Sequence, residues 1–418
     1  MPLVGIADLA ILGHLEDSPE AYIGAIALGG LIFNFIYAIF SFLRMGTTGF
    51  TAQAYGADNK KEMGLIFGRS MMVAACGGFL LILLQIPIEW FSFSLIESSI
   101  AVESLASEYF FIRIWAAPAT LGLYAIMGWF LGMQNAKIPM ILAILINVTN
   151  VGLNYLFVYG FGMKSDGVAL GTLIAQYTGF VTGIILFLKY YSSILQYLSL
   201  KAMMQWKALK RFFMVNRDIM IRTLLLILAF AFFTTTSAKI GDDVLAINTL
   251  LLQFLFLFSY FLDGFAYAAE SLAGKFYGAG NITSLKKFTR YIFIWGTIIS
   301  VPFSLAYLAG GRYILYILTD NTDVINNASP YLPWLALIPI VSFAAFIWDG
   351  IFTGCTATPA MRNTMILSTL FIYIPLNYLL LSPMGNNGLW LALVIFMLAR
   401  SVIMTLYAPK AIFNAARL

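Results

Sequence analysis

Four carboxylic acids lie within apolar stretches of this sequence, where groups able to gain or lose a proton are rare. They are Asp8, in the run GIADLAIL, and Asp263, Glu270 and Asp349. On insertion scales each costs about 2.5–3.5 kcal/mol at the centre of a membrane helix. An acid at such a position suits proton exchange, cation binding or an ion pair between helices.

Asp8 is the most isolated of the four acids, because no basic residue lies near it in the sequence. Apolar surroundings disfavour the charged carboxylate, so Asp8 could take up a proton on one side of a membrane and release it on the other. Asn150 and Asn154 are four residues apart and therefore share a helix face. They could accompany such a proton site, or they could only join two helices by hydrogen bonds.

The other three acids allow two interpretations. They could form a site for a cation or a substrate in the second half of the chain. Alternatively, they could pair with arginines that lie within or at the edge of apolar segments, namely Arg44, Arg113 and Arg400. Both interpretations remain open at the level of sequence.

Residues for enzymatic or metal chemistry are scarce. The chain has a single histidine, His14, and two distant cysteines, Cys76 and Cys355, which we interpret as small apolar residues. The segment GKF at 274–276 lacks the Ser or Thr that follows the lysine of a nucleotide-binding loop. We therefore expect no catalytic residues, no metal site and no cofactor, and we predict that the protein is not an enzyme.

The composition is that of a polytopic membrane protein. Of 418 residues, 61% are hydrophobic and 10% are charged, against roughly 25% charged in soluble domains. Eleven apolar segments are long enough to cross a bilayer. Residues 1–15 would make a twelfth, which looks truncated, so we expect that the natural start lies upstream. The predicted spans are 21–43, 64–88, 105–133, 138–160, 167–188, 219–240, 244–271, 288–310, 331–354, 364–382 and 387–409.

The basic residues predict the orientation of these spans. Residues 1–15 are counted as the first span. If the connection after the second span, 21–43, is inside and the sides alternate from there, 18 of the 24 Lys and Arg residues are cytoplasmic. Both termini then lie in the cytoplasm. The net charge of +5 faces lipid headgroups in this arrangement, and we expect no nucleic-acid partner.

The chain contains an internal repeat. FTAQAYGADN at 50–59 matches LAGKFYGAGN at 272–281, and LNYL at 153–156 matches LNYL at 376–379, at offsets of 222 and 223 residues. Six helices per repeat preserve orientation, so we predict two parallel lobes around a central cavity. The predicted domains are an N-lobe at 1–188, an amphipathic cytoplasmic linker at 189–218 and a C-lobe at 219–418.

Five stretches together resemble the multidrug and toxic compound extrusion (MATE) family, in its DinF-like branch. The resemblance implies twelve helices in two lobes and cation-coupled efflux. It places a proton site on Asp8, Asn150, Asn154 and Thr172, with Asn154 where some relatives carry an acid. It also suggests a C-lobe cation site at Glu270 and Asp349. The stretches are ADLAILGHL at 7–15, FLRMGTTGFTAQAYGA at 42–57, WFLGMQN at 129–135, LDGFAYAAESLAG at 262–274 and WDGIFTGCTATPAMRNTM at 348–365.

These observations predict a secondary active antiporter that exports amphipathic organic cations and other xenobiotics. The driving force would be inward flow of protons or sodium ions, through alternating access of the two lobes. We expect a monomer, surrounded by lipid, in a bacterial inner membrane. The alternative is a flippase for lipid-linked precursors of the same superfamily, which would need a cationic cavity; an intramembrane enzyme lacks the required residues.

Overall fold

The chain folds almost entirely into helices, as long apolar segments must if their backbone groups are to be satisfied in lipid. The computed structural model describes residues 19–95, 98–318 and 321–414. Within that part of the chain, 11 helical segments are long and apolar enough to cross a membrane. The predicted all-α polytopic class is thus confirmed. The predicted truncated first span, with Asp8 and His14, lies outside the described residues.

The first of two compact units comprises residues up to Thr47 and Lys60–Lys210. Its last long helix, α8, packs along α7 and α5. Two neighbouring helices of this unit, α7 and α8, carry the predicted polar site. The helices up to this point are α1 (Pro19–Ile39), α2 (Phe42–Gly56), α3 (Lys60–Leu83), α4 (Gln85–Ser94), α5 (Ile100–Arg113), α6 (Ala117–Gly132), α7 (Lys137–Tyr155), α8 (Ser165–Tyr191) and α9 (Leu200–Met203).

The second unit comprises Thr48–Asn59 and Arg211–Leu418. The end of α2 therefore belongs to this unit, although the rest of that helix belongs to the first. Its helices are α10 (Trp206–Ile240), α11 (Asp242–Gly278), α12 (Ile282–Leu318), α13 (Thr322–Ala328), α14 (Leu332–Gly354), α15 (Thr358–Ile366), α16 (Ile374–Met384) and α17 (Asn386–Ala408).

The predicted linker at 189–218 is not one amphipathic helix. It contains the end of α8, a 3₁₀ segment at Ser192–Tyr197 and the short α9, and from Trp206 onward it is part of α10. The continuous α10 has 35 residues, so the apolar span predicted at 219–240 is its second part. The sequence composition separated these two parts because most of the basic residues precede the apolar run, although one backbone helix continues through both.

The internal repeat recurs in the backbone. Three pairs of residues have positive φ at the predicted offsets: Asp58 and Gly280, Gln134 and Thr356, and Gly162 and Gly385. The first two pairs end helices with the same hydrogen bond from the following residue to a carbonyl five positions earlier, as in Asn59 to Ala54 and Asn281 to Phe276. The matching sequences therefore encode matching helix ends.

The two YGA repeats also contact each other, within the second unit. A Cβ on Gly56 would overlap the carbonyl oxygen of Lys275, and a Cβ on Gly278 would overlap the backbone of Gln53. The Gln53 side chain donates to the carbonyl oxygen of Gly354 at 2.8 Å. Glycine at equivalent positions of both repeats thus allows the ends of α2 and α11 to lie in backbone contact.

A buried amide network joins α10, α11 and α17. Asn248 and Asn386 exchange hydrogen bonds at 2.8 and 3.1 Å. Asn248 also donates to Ser237 at 2.7 Å and accepts from the Trp390 indole at 2.8 Å. All polar atoms of the Asn248 amide are therefore used, and the network fixes the register of three helices.

Candidate functional site

The first unit places three of the four predicted proton-site residues together. Asn150 donates to the Thr172 hydroxyl at 3.0 Å, and Asn154 donates to the Asn150 carbonyl oxygen at 3.4 Å. Thr172 donates in turn to the backbone carbonyl of Val168 at 3.0 Å. The three side chains are 2%, 0% and 7% exposed. We call Asn150, Asn154 and Thr172 the N-lobe amide network.

A glycine on α8 makes room for this network. A Cβ on Gly171 would overlap the side-chain oxygen of Asn154 and would also approach the Asn154 backbone nitrogen at 3.2 Å. After Tyr155, the residue that follows Asn154, α7 changes into a π-helical turn at Leu156–Gly160. Such turns are frequent at functional sites, because they loosen the regular backbone hydrogen bonding of a helix.

The network is neutral in the part of the chain that the structure describes. Amide and hydroxyl groups both donate and accept hydrogen bonds, so they can adjust to either protonation state of a neighbouring carboxyl group. The predicted titratable member, Asp8, lies outside the described residues. Its placement beside the network remains a prediction.

The second unit places Asp349 between two arginines. Its Oδ2 atom accepts from Arg400 at 2.9 Å and also from Arg222. The side chains of Arg400 and Asp349 are 1% and 6% exposed, and that of Arg222 is 12% exposed. Asp349 Oδ1 and the Nε atoms of both arginines are buried without a hydrogen-bond partner. We call Arg222, Asp349 and Arg400 the C-lobe ion triad.

The triad favours the interpretation of Asp349 as an ion-pair partner over its interpretation as part of a cation site. With two cationic partners on one carboxylate, the group carries a net positive charge, which disfavours binding of a further cation. The contact with Arg400 is the ion pair that the sequence analysis offered as the alternative to a cation site. Asp349 therefore has the geometry of a residue that holds α14 to α10 and α17.

Glu270 is buried on α11, at 1% exposure. A Cβ on Gly354 would overlap the Glu270 carbonyl oxygen, and one on Gly350 would overlap that of Ala266. These close contacts bring α11 and α14 together beside the triad. Asp263 is half-buried two turns earlier on α11. The proposed cation site at Glu270 and Asp263 stays a prediction.

The comparisons with known proteins agree with this architecture. The MatE family model matches residues 1–156 and 219–379, which is most of the chain. The chain belongs to the MatE family. Members of this family are membrane transporters and not enzymes, which confirms both the resemblance and the prediction that the chain is not an enzyme.

Two curated relatives cover most of this MatE protein. It is 36% identical to DNA damage-inducible protein F of Escherichia coli (strain K12), over 96% of this chain and 87% of the relative. It is 24% identical to multidrug and toxin extrusion protein 1 of Oryctolagus cuniculus, over 96% of this chain and 70% of the relative. These matches support an efflux transporter.

Solved structures show the same fold. A MATE protein in the bent conformation matches with a TM-score of 0.90 at 19% identity, over 99% of this chain and 92% of the other. A MATE family multidrug resistance transporter in an outward-facing conformation matches with a TM-score of 0.89 at 19% identity, over 100% and 93%. The MatE fold is therefore retained at low sequence identity.

Sequence reasoning missed the role of Arg222 in this MatE protein. Because it follows Arg211 and Arg217 at the start of an apolar run, the charge pattern predicts a cytoplasmic position for Arg222. In the structure it lies within α10 and pairs with Asp349. One feature of the sequence could have indicated the ion pair. Arg222 lies three residues inside the predicted span 219–240, where an unpaired arginine is costly.

Substitution of Gly171 tests the packing of the N-lobe amide network. We expect Gly171→Ala to lower the free energy of unfolding by about 1–3 kcal/mol and to reduce transport, because the added methyl group displaces Asn154. Gly152→Ala on α7 is the matched control, since a Cβ there meets nothing within 4 Å. Melting temperatures of both purified variants would check this. Equal melting temperatures for the two variants would contradict the expected overlap.

Proposed function

We propose that this MatE protein is a secondary active antiporter in which Asp8 and the N-lobe amide network form the ion-coupling site. The observation that carries the proposal is the burial of Asn150, Asn154 and Thr172 in one hydrogen-bonded network. Binding of a proton or sodium ion at Asp8 would change the charge beside this network, and the hydrogen bonds could reorganise in response.

The driving force is sufficient for useful export. Moving one charge through 100 mV yields about 2.3 kcal/mol. At about 1.4 kcal/mol per tenfold ratio, this supports roughly a 40-fold substrate gradient. Ion flow down its gradient and substrate export would be linked by alternating access of the two lobes.

The proposed substrates are amphipathic organic cations. The names of two curated relatives refer to multidrug and toxin extrusion, which supports export of varied foreign compounds. The chain's aromatic and methionine side chains, 66 and 18 in number, suit varied apolar cations through dispersion and cation–π contacts. We further propose that the protein acts as a monomer in a bacterial inner membrane, where the E. coli relative suggests it resides.

Transport in proteoliposomes tests the proposal. The purified full chain would be reconstituted, and export of a fluorescent organic cation would be followed with a pH gradient and a sodium gradient imposed separately. We expect accumulation that depends on one gradient and that collapses when an ionophore dissipates it. Accumulation that is independent of both gradients would contradict the antiport mechanism.

The proposed orientation places the connection between α8 and α10 in the cytoplasm. We expect Ser193→Cys, in a Cys76→Ala background, to resist a membrane-impermeant maleimide in intact cells and to react after lysis. Asn327→Cys, on the predicted outer side, should react in intact cells. Both positions are exposed. Cys355 can remain, because burial raises the pKa of its thiol and keeps it in the unreactive protonated form. Labelling of Ser193→Cys from outside would reverse the orientation.

A further inference from the structure

The helix α2 makes close backbone contacts in both units of the protein. Near its start, a Cβ on Gly128 of α6 would overlap the carbonyl oxygen of Arg44, within the first unit. Near its end, a Cβ on Gly49 would overlap the carbonyl oxygen of Thr353 of α14, within the second unit. Glycine permits both contacts because it has no side chain. A movement of one unit against the other therefore acts on these two contacts.

The contact in the second unit lies beside a strained residue. Thr356 follows the end of α14 and has a φ of +52°. A positive φ is unfavourable for a β-branched residue, because its side chain crowds the backbone. The other non-glycine residues with positive φ in the described part of the chain, Asp58 and Gln134, are not β-branched. Gln134 is the repeat equivalent of Thr356, so the first unit makes the same helix end with less strain.

A side chain of α2 holds the strained residue in place. The amide nitrogen of the Gln53 side chain donates to the Thr356 hydroxyl at 3.1 Å and to the Gly354 carbonyl oxygen at 2.8 Å. Gln53 and Thr356 are both half-buried, so water could replace these bonds if the end of α2 moved away. Thr51 of α2 is fully buried, and its hydroxyl has no hydrogen-bond partner in the described part of the chain. This unpaired hydroxyl is a further cost of the docked arrangement.

We propose that residues 49–56 of α2 form a releasable latch on the second unit, and that the strain at Thr356 sets how readily the latch opens. Backbone contacts at the glycines favour the docked state, whereas Thr356 and the Thr51 hydroxyl oppose it. Release lets Thr356 relax and lets water pair with Thr51. Such a balance leaves the open state populated as a minority. The proposal rests on the export function proposed above, because alternating access needs contacts that open and close.

Distances within the second unit test the latch. Spin labels would be attached to Ala57→Cys, just after α2, and Asn363→Cys, on α15, in a Cys76→Ala background. Both positions are exposed. Electron paramagnetic resonance on the purified full chain would give the distribution of distances between the labels. We expect a main population at the docked distance and a minor population at a longer distance. A single distance that stays fixed at every pH and sodium concentration would overturn the proposal.

Thr356→Asn separates a latch from a simple helix end. Asparagine tolerates positive φ and can still accept a hydrogen bond from Gln53. We expect a higher melting temperature, a released population that is about five- to thirtyfold smaller, and slower export. The control is Gln134→Asn, which places the same residue at the equivalent helix end of the first unit. It should leave both the distances and the export rate unchanged.

Gln53→Met removes the hydrogen bonds to Thr356 and keeps a side chain of similar length, so it should enlarge the released population. An unchanged population in this variant would overturn the proposal. A higher melting temperature of Thr356→Asn with unchanged distances and export would leave Thr356 only a helix-capping role and would also overturn it. The distance measurement needs no transport. A released population in a wild type that does not export would therefore contradict the proposed function and not the latch.

Discussion

Replacement of Asp349 by asparagine is expected to destabilise the protein strongly. The substitution leaves Arg222 and Arg400 buried without a counter-charge, and breaking a buried ion pair in this way costs about 3–5 kcal/mol. The side chains of Arg400 and Asp349 are 1% and 6% exposed, so water cannot compensate for the loss. The melting temperature of the purified variant in detergent would show the effect.

A double-substitution cycle identifies its cause. Asp349→Asn combined with Arg400→Gln should lose less than the sum of the single variants, because it removes both charges of one pair. Asp243→Asn, at an exposed position on α11, is the control and should change the melting temperature little. Near-normal stability of Asp349→Asn, together with altered ion dependence of transport, would instead place Asp349 in a cation site.

The stability and transport of Glu270→Gln should be compared with those of Asp349→Asn. If Glu270 belongs to a second cation site, its replacement should preserve the melting temperature and change how transport responds to sodium ions or pH. If it only holds the C-lobe together, stability should fall and the ion dependence of the remaining transport should be unchanged. Measuring both properties on the same preparation separates the two outcomes.

Replacement of Asp8 by asparagine is expected to abolish coupled export while leaving folding and membrane insertion intact. The amide has the size of the carboxyl group but cannot exchange a proton at physiological pH, and its predicted neighbours, Asn150, Asn154 and Thr172, cannot either. Transport by the reconstituted variant should be at background under a pH gradient.

Asp8→Glu is the matched control for the loss of titration. It retains a carboxyl group, so it should keep part of the coupled export that Asp8→Asn loses. Comparable melting temperatures for the two variants would exclude misfolding as the cause. Normal gradient-driven export by Asp8→Asn would contradict the proposed coupling site.

The sequence by itself determined the helical class, the internal repeat and the shared helix face of Asn150 and Asn154. Apolar segments long enough to cross a bilayer can form little other than helices, because backbone groups in lipid must pair within their own segment. Asn150 and Asn154 share a face through helical periodicity, which made their association predictable. The repeat could be recognised from the sequence because equivalent helix ends keep similar residues, as in the stretches that contain Asp58 and Gly280.

Tertiary structure alone decided how the charged residues are paired. Arg222 and Asp349 are 127 positions apart, and no local periodicity links residues on different helices. Arg113, which the sequence offered as an ion-pair partner on the same grounds as Arg400, contacts Tyr109 and Phe33 within the part of the chain that the structure describes. The physical reason is that pairing depends on which helix faces meet and how closely they approach. Glycines such as Gly350 set that distance on α14, and a pattern along one helix does not identify the helix opposite.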